Sequence, residues 1–188
     1  MGDYMGYIIA GAVVLLFIIL YNRIVALKQN RNNAFSDIDV QLKQRYNLVP
    51  QLVETVKGYA SHEKELLEQV TAARTEAMNT KGIGENKSNA EAALGGAMMN
   101  LLAVAENYPD LKASDNFNNL QNELSDIENK LAAARRYFNN ATSEYNAGIQ
   151  QFPAVILARL FGYNEEAFFE LDAAEAEAVK KAPEISFN

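Results

Sequence analysis

Residues 34–63 read AFSDIDVQLKQRYNLVPQLVETVKGYASHE. Ile38, Leu42, Leu48, Val49, Leu52, Val56 and Tyr59 fall at spacings in which three, four and seven dominate. That spacing puts them on one face of an α-helix and on alternating faces of a strand, so the stretch reads as an amphipathic helix. Pro50 lies inside it, where it removes one backbone donor and crowds the carbonyl four residues earlier. The stripe keeps its phase across the proline, which predicts a kinked helix that continues. The same pattern extends back to Ile24 and Leu27 and forward through Leu66, Val70 and Ala73, giving one helix that runs to about Met78. Arg45 sits on the stripe, seven residues from both Ile38 and Leu52. A charge on a buried face is costly without a partner, so Arg45 is expected to meet a carboxylate on a facing helix.

Immediately upstream lies YMGYIIAGAVVLLFIILY, eighteen residues (4–21) with no charge. As a helix at about 1.5 Å per residue it spans roughly 27 Å, close to a hydrocarbon core of about 30 Å. Tyr4, Tyr7 and Tyr21 stand at its ends, where aromatic side chains favour the membrane interface. A cleaved signal peptide is the competing reading. It calls for a basic leader and a small-residue cleavage site, and neither is present. Residues 1–22 therefore read as a transmembrane anchor and residues 23–188 as the domain it carries. Asp3 flanks one side of the run, and Arg23, Lys28 and Arg31 flank the other. The positive-inside rule then places the N-terminus outside and the domain in the cytoplasm. Gly6 and Ala10 form a small-xxx-small pair of the kind that packs membrane helices together.

Downstream, residues 80–89 are polar with two glycines and read as a loop, with Ser88 or Asn89 capping the next helix. That helix presents Leu94, Met98, Leu101, Ala105 and Tyr108 and stops at Pro109. Gly95 and Gly96 within it allow a close helix approach. Ser114 or Asp115 caps a third helix. Its stripe is the cleanest in the chain: Phe117, Leu120, Leu124, Ile127, Leu131, Ala134, Phe138, Ala141, Tyr145, Ile149 and Phe152. It alternates three and four with one slip near the end, over about five heptads. A short apolar piece lies between Pro153 and Gly162, and an acidic helix follows from about Glu165 to Lys181. The fold class is all-α: an N-terminal transmembrane helix continuing into an antiparallel bundle of three long helices plus a shorter C-terminal one. With the first helix reaching Met78, the third would climb away from the membrane and leave the segment around Pro153 far from the anchor.

The blocks DIDVQLKQRYNLVPQLVETVKGYASHE, ARRYFNNATSEYNAGIQQFP, LFGY and PEISF resemble the LemA family of bacterial membrane proteins, over essentially the whole chain and with the spacing between blocks retained. The resemblance implies a single N-terminal transmembrane helix and a helical bundle, in a bacterial inner membrane. It carries no catalytic residue and no cofactor over to this chain.

The residues themselves offer no reactive constellation. The chain has no Cys and one His. HEKEL at His62 lacks the second His of the zincin motif, so a capping or surface role is expected there in preference to a metal ligand. GIG at residues 82–84 lacks the phosphate-loop spacing. Removing Asp3 from the 24 acids leaves 23 against 17 basic residues after the anchor, a net −6, which argues against binding a nucleic-acid backbone. No cofactor or metal is expected, and the chain reads as a non-enzyme. The densest aromatic cluster is Phe152, Ile156, Leu160, Phe161, Tyr163, Phe168 and Phe169. It has three readings: a cap on one end of the bundle, a contact surface for a subunit or partner, or a segment inserted in a bilayer. Seven acids against two lysines in residues 161–188 weigh against attraction to anionic lipid. Asn139, Asn140, Asn146 and Gln150, set among the aromatics of the third helix, are expected to bond across helices or to line a polar contact surface. The function expected is a membrane-anchored bundle that works by protein–protein contact, as a self-assembling scaffold or membrane-organising subunit. Its partners are lipid along residues 4–21, further copies of itself and unidentified proteins. A ligand-sensing adaptor with a site between its helices is the alternative, with Arg45 lining the pocket.

Overall fold

The computed structural model describes residues 2–169. Six helices carry the chain: α1 (Gly2–Tyr59), α2 (Lys64–Asn79), α3 (Glu85–Ala105), α4 (Pro109–Lys112), α5 (Asp115–Gln150) and α6 (Ala154–Leu160). No strand occurs among the described residues, and the fold is an all-α bundle. Helix α1 has 58 residues and passes through Pro50 without a break. Its N-terminal part is the one helix among the described residues that is long and apolar enough to cross a membrane. The described chain divides into two compact units. One takes α1 up to Asp39 together with Ala132–Phe168; the other takes Val40–Leu131 together with Phe169.

In the first unit the last part of α5 lies antiparallel on α1. Tyr137 donates to Asn30 Oδ1 at 2.9 Å, the rings of Phe35 and Phe138 are 5.9 Å apart, and Ile24 is buried with Tyr145 and Ile149. Ala154, Leu157 and Ala158 of α6 complete this cluster, with Leu20, Tyr21, Leu27 and Tyr163 packed around it. The two long helices approach closely at Gly148, where a Cβ would stand 2.5 Å from Leu27 Cδ1. Helix α6 ends in a Schellman cap. Gly162 takes a left-handed φ of 71°, the Tyr163 amide donates to the Ala158 carbonyl at 2.9 Å, and the Gly162 amide donates to that of Arg159 at 3.4 Å.

In the second unit α2 folds back along α1, α3 returns, and the first part of α5 runs antiparallel to α1. Arg74 of α2 donates to the Tyr46 carbonyl at 2.7 Å, Tyr108 donates to Glu63 at 3.0 Å, and Asn116 of α5 donates to Thr55 at 3.1 Å. The core holds Leu42, Leu48, Leu52 and Val56 of α1 and Leu67 and Val70 of α2. Leu94, Met98 and Leu101 of α3 and Phe117, Leu120, Leu124, Ile127 and Leu131 of α5 fill the rest.

Four expectations are corrected. The stripe predicted one helix to about Met78, but α1 ends at Tyr59, and Ala60 to Glu63 form a turn before α2. Four non-helical residues occupy about one helical turn of sequence, so the apolar spacing stays in phase across the break. Because α1 is that much shorter, α5 starts beside Thr55 and runs back along it. Within the first unit the segment around Pro153 lies against Leu20, Tyr21 and Ile24, next to the apolar span and not far from it. Helix α3 begins at Glu85, behind Gly84 with a φ of 130°, and not at Ser88 or Asn89. The acidic helix expected from Glu165 does not form over residues 165–169; its remainder, and the PEISF tail, fall outside the described residues.

Two glycines give opposite expectations. Alanine at Gly162 pushes an L-residue into left-handed backbone at about 1–2 kcal/mol. At about 2–4 °C per kcal/mol for a chain of this size, Gly162→Ala lowers the melting temperature by about 2–8 °C. A Cβ at Gly96, inside α3, meets nothing within 4 Å, so Gly96→Ala raises it by about 2–4 °C through helix propensity. Thermal melts followed by circular dichroism in detergent check both signs.

Candidate functional site

The second unit buries a charge cluster centred on Glu91 of α3. Its Oε2 accepts from Arg45 Nη1 at 3.1 Å, and its Oε1 faces Lys87 Nζ at 2.9 Å and accepts from the Tyr46 hydroxyl. Lys87 also donates to that hydroxyl at 2.8 Å and to the Ala77 carbonyl at 2.7 Å. Arg45 is 3% exposed and Glu91 2%. Arg45 Nε lies 2.8 Å from Glu128 Oε1 of α5, but neither atom has a hydrogen-bond partner, so this is a charge contact out of line for N–H donation. Two cations thus meet two carboxylates, one of them, Glu128, reaching in from the half-exposed side of α5. The helices make this possible locally. Lys87 and Glu91 are one turn apart on α3. Gly95, one turn further, leaves room for the guanidinium, since a Cβ there would stand 3.0 Å from Arg45 Nη2.

The first unit has a polar clasp of its own. Arg31 is buried, donates through Nε to Thr142 at 3.1 Å and through Nη2 to the Ala167 carbonyl at 3.0 Å, and lies 3.4 Å from Glu166. Its guanidinium also stacks over Phe138, 4.8 Å from the ring centre. The Asn146 side chain grips the backbone of Glu166 from both sides, donating to its carbonyl at 3.0 Å and accepting from its amide at 2.9 Å. Tyr145 donates to the Asn164 carbonyl at 3.1 Å. Burial, and then the Glu166 carboxylate, raise the Tyr145 hydroxyl above the usual tyrosine range, which keeps it a neutral donor. These side chains take up the backbone groups of residues 164–167 in place of helical hydrogen bonds, which is why no helix starts there.

The aromatic cluster is divided. Phe152, Ile156, Leu160 and Phe161 are exposed, Phe152 at 82%, while Tyr163 packs half-buried against the Ile24 cluster. Phe168 is exposed and Phe169 is buried. Phe161 stacks edge-on with Tyr21 at 5.1 Å and Phe17 at 6.0 Å. His62 is exposed in the turn between α1 and α2, and no group of three metal-ligating side chains occurs among the described residues. Sequence reasoning read Arg31 only as a charge flanking the span and passed over Lys87, Glu91, Thr142 and Gly148. Two of them had a signal: Arg31 fills the seven-residue gap between Leu27 and Ala34, and Gly148 fills the slip between Tyr145 and Phe152.

The charge cluster makes an asymmetric prediction. Glu91→Leu strands Arg45 and Lys87 in the interior and costs about 3–5 kcal/mol. Glu128→Gln removes a partner whose side chain is 40% exposed and costs at most about 1 kcal/mol. Chemical denaturation of the two variants in the same detergent measures the difference.

The model of the LemA family matches residues 34–187. The chain is 22% identical to magnetosome protein MamQ of Magnetospirillum gryphiswaldense, over 84% of this chain and 67% of that protein. It is 24% identical to magnetosome protein MamQ 1 of Paramagnetospirillum magneticum, over 85% and 68%. It is 26% identical to protein LemA of Metamycoplasma hominis, over 84% and 71%. With the apolar span of α1, these matches describe a membrane-associated helical protein. The family match, which starts at Ala34 and takes in the turn after α1, the charge cluster and every residue of the clasp except Arg31, makes the chain a member of the LemA family.

Proposed function

We propose that the protein works by contact and not by chemistry, as a membrane-anchored scaffold that assembles with further copies of itself and organises the membrane around it. One observation carries this reading. The buried charges are tied to one another inside the bundle, while large apolar side chains outside the anchor are left exposed, among them Val40, Met99, Phe152, Ile156 and Leu160. Buried ionisable groups held in neutral clusters serve structure; exposed apolar groups on a folded surface serve association. The names of its relatives, two of them magnetosome proteins, designate no enzyme, which agrees with a role in contact. The flanking charges Arg23, Lys28 and Arg31 support a single-pass arrangement with the N-terminus outside and the bundle in the cytoplasm of a bacterial cell.

The ligand-sensing alternative gains nothing from the geometry. Arg45 was its chief pocket residue, and its guanidinium is spent on Glu91. A groove lined by Gln44, Asn47, Gln51, Glu123 and Asp126 is open to solvent and too shallow to enclose a small molecule.

Mass measurement of the full chain in lipid nanodiscs or mild detergent tests the self-assembly. The expected result is a species containing several copies that persists on dilution. A single copy at every concentration would sink it.

A further inference from the structure

We infer that the outer face of α6, with the residues that flank it, is a second membrane contact: Phe152, Ile156, Leu160 and Phe161 lie in the bilayer interface beside the point where α1 leaves it. The inference deepens the contact reading by naming lipid as what this surface meets, and it rests on residues 4–21 spanning the membrane.

The two faces of α6 carry the first part of the case. Ala154, Leu157 and Ala158 are buried against Ile24, Tyr145 and Ile149. Phe152, Ile156 and Leu160 project elsewhere and are 82%, 58% and 71% exposed. This seven-residue helix, apolar but for Arg159 in its last turn, has one apolar face in the core and needs a second apolar medium for the other. Position supplies that medium. Phe161 packs edge-on against Phe17 and Tyr21, two residues of the uncharged run itself. The exposed face of α6 is therefore continuous with the surface of α1 that lipid covers, at the level of its last membrane turn. The cap geometry fixes this placement, since the left-handed Gly162 reverses the chain and sets Phe161 and Tyr163 against Tyr21.

The polar surroundings suit an interface. Arg23 and Arg159 are exposed on the two segments that meet here, where they can reach lipid phosphates. Glu166, the carboxylate of the neighbouring strap, is taken up by Arg31 and Lys28 at 3.4 and 3.8 Å, which offsets its repulsion of anionic headgroups. The apolar side chains make the contact, so zwitterionic lipid is sufficient for it.

The chain has no Trp, so one introduced indole reports on one position. Full-length Ile156→Trp and Leu160→Trp are reconstituted in phosphatidylcholine vesicles with and without bromine on the acyl chains. Val14→Trp in the span and Met99→Trp on α3 serve as references. The expected result is blue-shifted emission for both α6 variants, quenched at least twofold by the brominated lipid and only weakly by aqueous iodide, with Val14→Trp quenched as strongly and Met99→Trp not at all. Emission from both α6 variants that iodide quenches and brominated lipid does not would overturn the inference. So would emission shielded from both, which means that a second copy of the chain covers the face. An unquenched Val14→Trp would overturn the spanning reading along with it, whereas a quenched Val14→Trp beside unquenched α6 variants removes the second contact alone.

Discussion

The apolar stripe of α1 begins at Ile24, three residues past the end of its uncharged run, and it must be covered from that point on. Nothing in the membrane can cover it, because those positions lie just beyond the hydrocarbon. The element that does so has to reach down to the end of the span. The last turns of α5 meet that requirement with Tyr145 and Ile149, and α6 closes the cluster with Leu157. Each large apolar side chain buried there contributes about 1.5–3 kcal/mol. The direction of α5, the site of the chain reversal at Pro153 and the location of the exposed α6 face all follow from covering Ile24.

Two arginines set on that stripe, Arg31 and Arg45, stand 14 residues apart, four turns along the same face. Each meets its counter-charge within its own unit: Glu166 for Arg31, Glu91 for Arg45. Such pairs contribute little net stability, because desolvation offsets most of their attraction. Their effect is on alternatives. A slip of α3 by one turn carries Glu91 away from Arg45 and leaves an unpaired charge in the interior. The apolar side chains alone would tolerate that slip far better, so the charges select the register that the hydrophobic stripe leaves degenerate. Gly95 leaves the room that the Arg45 guanidinium needs to make its contact.

Much of this was readable from the chain. Helical periodicity located α5 nearly to the residue, since Asp115 and Pro153 punctuate a stripe that no strand could present. The buried setting of Arg45 followed from its place on the stripe. Periodicity was silent on direction. The turn from Ala60 to Glu63 takes one helical turn of sequence without disturbing the phase, so one long helix and a helix–turn–helix look alike. That ambiguity sent α5 the wrong way. The partners of Arg45 were equally illegible, because which carboxylate faces it depends on how α3 is rotated. The clasp on residues 164–167 was hidden for another reason. An acidic, alanine-rich stretch has good helix propensity, and it is the side chains of Arg31, Tyr145 and Asn146 that take up the backbone of residues 164–167 in place of a helix.

The covering of Ile24 requires α5 to return along α1 to the membrane end of the helix. A cysteine pair tests this most directly, since the chain has no cysteine of its own. Leu27 and Gly148 are the positions to use, because a Cβ at Gly148 would meet the Leu27 side chain, 2.5 Å from its Cδ1 and 3.9 Å from its Cγ. Oxidation of Leu27→Cys/Gly148→Cys in native membranes should link the two within one chain and leave the helix content unchanged. Failure of the pair to cross-link, or linkage only between chains, would contradict the return of α5 to the membrane end of α1.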